Sequence, residues 1–209
     1  MKSEIRKSEV AMKMGIARLP QIELSSRHQL MLDRAVDRCQ ASPALRARMR
    51  AEGHDLLALS QIAPRLEVIE LDMAPVFRSL FRLQTTVPTM PQPDGPLQIE
   101  QQALLGLTYR LESFRQPTPG YGFIQVLAPA PCWLANISND GVQALCLGLS
   151  LPAGVRVKDL VLMAYGALTM QTVMNDELDR AGVLSVPAAR WWQQNMHLAP
   201  LSAEPFIHA

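Results

Sequence analysis

The sequence predicts an α+β domain. Apolar residues recur at helical spacing near its start. Alternating segments broken by proline and glycine fill its middle, and helical spacing returns toward its end. Residues 1–24 have no firm apolar period and read as a flexible N-terminal arm. From Ser26 the pattern turns helical. Leu32, Ala35, Val36 and Cys39 fall at i, i+3, i+4 and i+7, one face of a helix. This places Cys39 as a core contact. Ser42-Pro43 then reads as an N-cap followed by proline at the first helical position. A second, short helix follows, with Leu45 and Met49 on one side and Arg46, Arg48 and Arg50 on the others. Gly53 is expected to end it.

After Pro64 the period shortens to two. "RLEVIEL" alternates around Leu66 and Val68 as a half-buried strand does. Val76–Val87 puts Phe77, Phe81 and Leu83 on one side, a second strand. Pro88, Pro91, Pro93 and Pro96 crowd the turn region that follows. Ala103–Phe114 is a third strand, with Leu105, Leu107, Tyr109 and Leu111 facing one way. Phe123–Pro129 is a fourth. Strands in succession on short connections imply an antiparallel meander. Beyond it lies a loop carrying Cys146. Val157, Leu160, Val161, Ala164, Leu168 and Gln171 then trace a helix with a wide apolar face. A polar break, Asn175 to Asp179, precedes a last helix that starts at Ser185-Val186-Pro187 and carries Ala188, Trp191 and Trp192. Trp191 and Trp192 read as a core residue and a surface contact. The tail from Pro200 is irregular. The chain shows no repeat, and residues 25–209 read as a single domain.

Composition narrows the function. The chain has 209 residues, 48% of them hydrophobic, enough to fill one core. Charged residues make up 19% and the formal net charge is +1, so neither a strongly basic nucleic-acid binder nor an acidic tail is indicated. No apolar run reaches the length of a membrane span. The first residues lack the apolar stretch of a signal peptide. The expectation is a soluble, cytoplasmic protein. Three cysteines do not make a disulfide framework. Each is a small buried hydrophobe or a reactive thiol. Cys132, beside Trp133, reads as packing. No paired Cys/His spacing suggests zinc, and no glycine-rich phosphate loop or dinucleotide fingerprint is present. No cofactor is expected.

Cys146 stands apart because of what precedes it, "LANISNDGVQALCLG", Leu134 to Gly148. Asn139-Asp140-Gly141 is a tight-turn signal that lets the chain double back, so that Asn136 and Cys146 can meet. This stretch resembles the ubiquitin-conjugating enzyme family. There, an N-terminal helix precedes a four-stranded antiparallel meander. A His-Pro-Asn-Ile segment, an Asn-Gly turn and an Ile/Leu-Cys-Leu segment with the catalytic cysteine come next. A crossing helix and shorter C-terminal helices complete the fold. Here "LANI" (Leu134–Ile137) stands for the first segment, "SNDG" (Ser138–Gly141) for the turn and "LCLG" (Leu145–Gly148) for the cysteine segment. "VRVKDLVLMAYGALTM" resembles the crossing helix. Leu134 and Ala135 replace the family's histidine and proline, and Gly148 replaces an acidic residue often found there. The overall look resembles bacterial members, found in ubiquitination-like antiphage defence operons, more than eukaryotic ones.

The resemblance implies a carrier enzyme that holds a ubiquitin-like protein as a thioester on Cys146 and passes it to an amine of a target. Its partners would be that modifier, its activating enzyme and a target lysine. ATP would belong to the activating enzyme. Loading is thiol–thioester exchange, which needs no neighbouring histidine. Asn136 would donate its amide to the oxyanion, worth about 3 kcal/mol by analogy with other such donors, or brace the loop. Asp176, or alternatively Glu177, would orient the incoming lysine. The family docks its activating enzyme on the first helix, here the side carrying Arg27, Arg34 and Arg38. Two other readings stay open. One is the same fold as a non-catalytic protein-binding module. The other is a cysteine hydrolase with His197 as remote base.

Overall fold

The structure, a computed structural model, describes residues 22–92, 95–172, 175–176, 178, 182–201 and 206–207. Most of the expected arm, Met1 to Gln21, and the alternative acid Glu177 lie outside the described residues. The described residues order as two helices, a sheet and two further helices, an α+β architecture. Helix α1 spans Ser26–Asp37, and Ser25 caps it by accepting from the His28 N–H. Leu24, just before it, packs on the core. Cys39 lies two residues past the end of α1 rather than on it, and is 1% exposed.

Helix α2 spans Pro43–Ile62 and runs straight through Gly53. The expected stop at Gly53 is therefore wrong, and the cause is packing. A Cβ at Gly53 would lie 2.7 Å from Met73 Cε, 3.0 Å from Leu32 Cδ1 and 3.2 Å from Leu71 Cδ2. Glycine lets α2 close against α1 and the sheet.

The sheet is antiparallel and five-stranded, in the order β1-β2-β3-β4-β5: Leu66–Asp72, Phe77–Thr89, Gln98–Tyr109, Ile124–Ala128 and Ala144–Leu145. A meander was expected, with four strands. The fifth is only Ala144–Leu145, too short to show a period. The third strand starts earlier than its pattern suggested and stops at Tyr109, because Leu111–Phe114 winds into a 3-10 turn. Alternation holds up to Tyr109, whereas Leu111, expected on the same face, sits in that 3-10 turn and is exposed. Phe77, Phe81 and Leu83 face inward beside Ala103, Leu105, Leu107 and Tyr109 of β3.

Helix α3 spans Val157–Leu168 and packs on α2 and β2. Gln171 lies past its end rather than on it. Helix α4 spans Val186–Asn195, with Ser185 as cap. Trp192 is fully buried and Trp191 packs edge-on against it at 4.8 Å. No helix among the described residues is long and apolar enough to cross a membrane.

Candidate active site

A small hairpin builds the Cys146 region. Ile137 pairs with Leu145, the Ser138 N–H donates to Ala144 O at 3.0 Å, and the Cys146 N–H donates to Asn136 O at 2.8 Å. That register sets Asn136 and Cys146 side by side. The polar turn holds it. Asp140 Oδ1 accepts from Ser138 Oγ at 2.7 Å and from the Val142 N–H at 3.0 Å, while Ser138 Oγ accepts the Ala144 N–H at 2.9 Å. The Ser138 hydroxyl, followed by the Val142 N–H, holds the Asp140 carboxyl below the ordinary carboxylate range. Gly141 takes φ +85°, the left-handed geometry that glycine allows.

Two further braces were not visible in the sequence. Gln143, itself at φ +54°, accepts the Cys132 N–H at 2.6 Å and donates to Val126 O and Pro129 O, each at 3.0 Å. It ties the turn to the end of β4. Trp192 Nε1 donates to Trp133 O at 2.6 Å, and the Leu184 and Ser185 N–H groups both donate to Ala135 O. The start of α4 is thus clamped to the segment that carries Asn136.

Beyond Cys146 the chain pairs with Gly120. The Gly120 N–H donates to Gly148 O at 3.1 Å and the Leu147 N–H to Gly120 O at 3.3 Å. Only glycine fits there, since a Cβ on Gly120 would lie 2.4 Å from Gly148 O. The Cys146 Sγ approaches the same Gly148 carbonyl at 3.6 Å.

Asn136 and Cys146 line one cleft of about 360 Å³. Its far wall is α3, through Leu162, Met163, Gly166 and Ala167, and Thr172 and Gly182 complete it. Cys146 is 7% exposed. Asn136 is 4% exposed, and its Oδ1 is buried with no hydrogen-bond partner. An unmet buried acceptor costs about 1–3 kcal/mol and asks for an explanation. Cys132 is different. It sits away from the cleft lining, its Sγ donates to Pro129 O at 3.2 Å, and burial pushes its thiol up to about 12.

The other expected residues lie elsewhere. Asp176 is exposed, its Oδ1 accepts the Leu178 N–H at 3.0 Å, and it is not among the residues lining the cleft. The segment that bears it is bracketed by Thr172 and Gly182, which do line it. His197 is exposed on the 3-10 turn Met196–Leu198 and does not line the cleft. Arg27, Arg34 and Arg38 share a separate groove with Leu30, Met31 and Ile69. No group of three or more potential metal ligands occurs among the described residues. Comparison with protein-family models, with curated proteins and with solved structures finds no match.

Proposed function

We propose that the chain is a ubiquitin-conjugating-enzyme-like transferase of the UBC fold, with Cys146 as the carrier of a ubiquitin-like protein. The observation that carries this reading is the shared cleft. Cys146, at the end of an edge strand, and the buried Asn136, joined to it by a backbone hydrogen bond, line one cleft of about 360 Å³. In loading, the Cys146 thiolate attacks the carbonyl carbon of the modifier's thioester on the activating enzyme. A new C–S bond forms, the old one breaks, and the activating enzyme's cysteine leaves as a thiolate, which takes a proton from water. In transfer, a target amine attacks the same carbon. A C–N bond forms, the C–S bond breaks, and the amine's proton goes to the departing sulfur or to water. The strand order, the hairpin before Cys146 and the helix crossing behind it support the reading. The groove with Arg27, Arg34 and Arg38 is the proposed contact for the activating enzyme, and Asp176 or Glu177 the proposed aid to the target lysine. The setting is the cytoplasm of a bacterium, in antiphage defence.

One observation favours a second reading, a non-catalytic protein-binding module of the same fold. Cys146 is 7% exposed, low for a residue that must meet another enzyme. A charging assay separates the two. The protein is mixed with the activating enzyme and ubiquitin-like protein of the same source and ATP, then run on a non-reducing gel. An ATP-dependent adduct in wild type and none in Cys146→Ala supports the carrier. No adduct from folded protein, with the activating enzyme itself charged, leaves the binding module.

A further inference from the structure

Among the described helices two glycines lie inside a helix, Gly53 on α2 and Gly166 on α3. Alanine is the better helix former at such a position, so each glycine asks for a reason. Gly53 has one in the fold, since a Cβ there would lie 2.7 Å from Met73 Cε. Gly166 has no such reason among the described residues. A Cβ there would meet only Thr172, at 3.4 Å from Oγ1 and 3.5 Å from Cγ2, ordinary van der Waals contact. Nor does Gly166 end the helix. Helix α3 continues to Leu168, and the left-handed position just beyond it, which would suit a glycine, is held by Met170 at φ +59°.

The place of Gly166 supplies the reason. It is half-buried and lines the Cys146 cleft. Leu162 and Met163, one turn earlier on α3, are half-buried and line the same cleft. Thr172, the neighbour that a Cβ would touch, lines it too. A side chain at Gly166 would therefore grow along the cleft wall rather than into the core.

We propose that Gly166 determines acyl specificity: it leaves room for the main chain of the modifier's C-terminal peptide tail when the tail's last carbonyl is bonded to Cys146. This deepens the carrier reading and rests on it. A wall without a Cβ lets a second backbone come close. Leu149, Leu162 and Met163 give the tail apolar surface on either side.

The test compares two acyl donors that differ only in the tail. Wild type, Gly166→Ala and Gly166→Leu are each treated with the mercaptoethanesulfonate thioesters of acetate and of N-acetyl-tetraglycine. The Cys146 thiolate attacks the carbonyl carbon, a C–S bond forms, and mercaptoethanesulfonate leaves as a thiolate. Intact mass follows the adduct and peptide mapping assigns it to Cys146. The role predicts that the ratio of tetraglycyl to acetyl transfer falls about threefold in Gly166→Ala and about tenfold in Gly166→Leu, as room for the tail is lost. It also predicts that Gly166→Ala melts at or above the wild-type Tm, because alanine favours the helix. An unchanged ratio in both variants overturns the role and leaves the carrier reading standing. A lower Tm in Gly166→Ala, with both transfers slowed alike, overturns it in favour of a glycine that the fold itself requires. No acylation of wild-type Cys146 by either donor, from folded protein, overturns the carrier reading, and this role falls with it.

Discussion

Glu52 and Asn136 are both buried polar side chains, at 0% and 4% exposure, and their surroundings are opposite. Glu52, on α2, has both oxygens partnered. Oε1 lies 2.9 Å from Arg48 Nη2 and 2.9 Å from Arg156 Nε, and Oε2 accepts the Val157 N–H at 2.9 Å. Arg156 also reaches Asp55 at 2.6 Å. Glu52 thereby caps the first turn of α3 with a carboxylate, where the helix dipole favours one. Tyr109 joins from the sheet, donating to Val155 O at 2.8 Å. Burial first, then the nearby Glu52 charge, pushes its hydroxyl up to about 12. Asn136 faces the other end of the same helix with its acceptor unmet. A buried polar group that is fully answered holds parts together, whereas one left unanswered costs stability where it stands. Helix α3 links the two: fixed at its start by Glu52, it presents its last turns to Cys146.

The sharpest way to break this comparison is to exchange the consequences. Glu52→Ala leaves the Val157 N–H at the start of α3 without its acceptor and Arg48 without its carboxylate, while Arg156 keeps Asp55, and should cost about 1.5–3 kcal/mol in urea unfolding. Cys146→Ala, at the cleft, should cost less than about 1 kcal/mol while abolishing the adduct. Equal losses of stability at the two positions would erase the distinction. Next comes Gly120→Ala. Its Cβ meets Gly148 backbone, which has no flexible end to move aside, so we expect about 1–3 kcal/mol and slower loading as Gly148 and Leu149 shift. Unchanged loading would show that the strand pairing beyond Cys146 does not shape the cleft.

A smaller effect separates the thiols. With its thiol pushed up to about 12, Cys132 stays protonated at neutral pH and gains reactivity only as pH climbs toward that value. Iodoacetamide at neutral pH should therefore label Cys146 ahead of Cys132, read by peptide mapping, and the reverse order would contradict the site assignment. The smallest effect is at the turn. A carboxyl held below its ordinary value stabilises the fold above its unfolded pKa, and the contribution fades as pH falls through the lowered folded value. Below about pH 4 the Tm gap between wild type and Asp140→Asn should close. A constant gap would mean that the Ser138 and Val142 bonds do not depend on the charge.

How much of this was written in the sequence follows from distance along the chain. The turn at Asn139-Asp140-Gly141 was legible because its chemistry is local, and the meander because alternation repeats over neighbouring residues. Arg48 and Glu52 stand four residues apart on α2, a spacing that on its own looks like a solvated face. Their partner Arg156 lies 104 residues from Glu52, so no spacing announces it. Gly53 imitates a helix end because glycine after an apolar stripe is the usual stop, while its reason here is a contact with Met73 and Leu71 from the sheet. Gln143 gives no local sign of its three hydrogen bonds. The pairing of Asn136 with Cys146 was predictable from the turn between them. The unmet Oδ1 was not, since burial without a partner depends on packing from distant segments.

The central claim is that Cys146 is a thioester carrier, and the measurement that meets it most directly is an exchange of the attacking atom. Cys146→Ser is loaded with the activating enzyme, the ubiquitin-like protein and ATP beside wild type, and each adduct is treated with thiol and with alkali. The account predicts a wild-type adduct cleaved by thiol and a serine adduct that resists thiol and yields to alkali, as a thioester and an ester must. An adduct of the same thiol sensitivity in both, or one that persists in Cys146→Ala, would place the bond on another residue and contradict it.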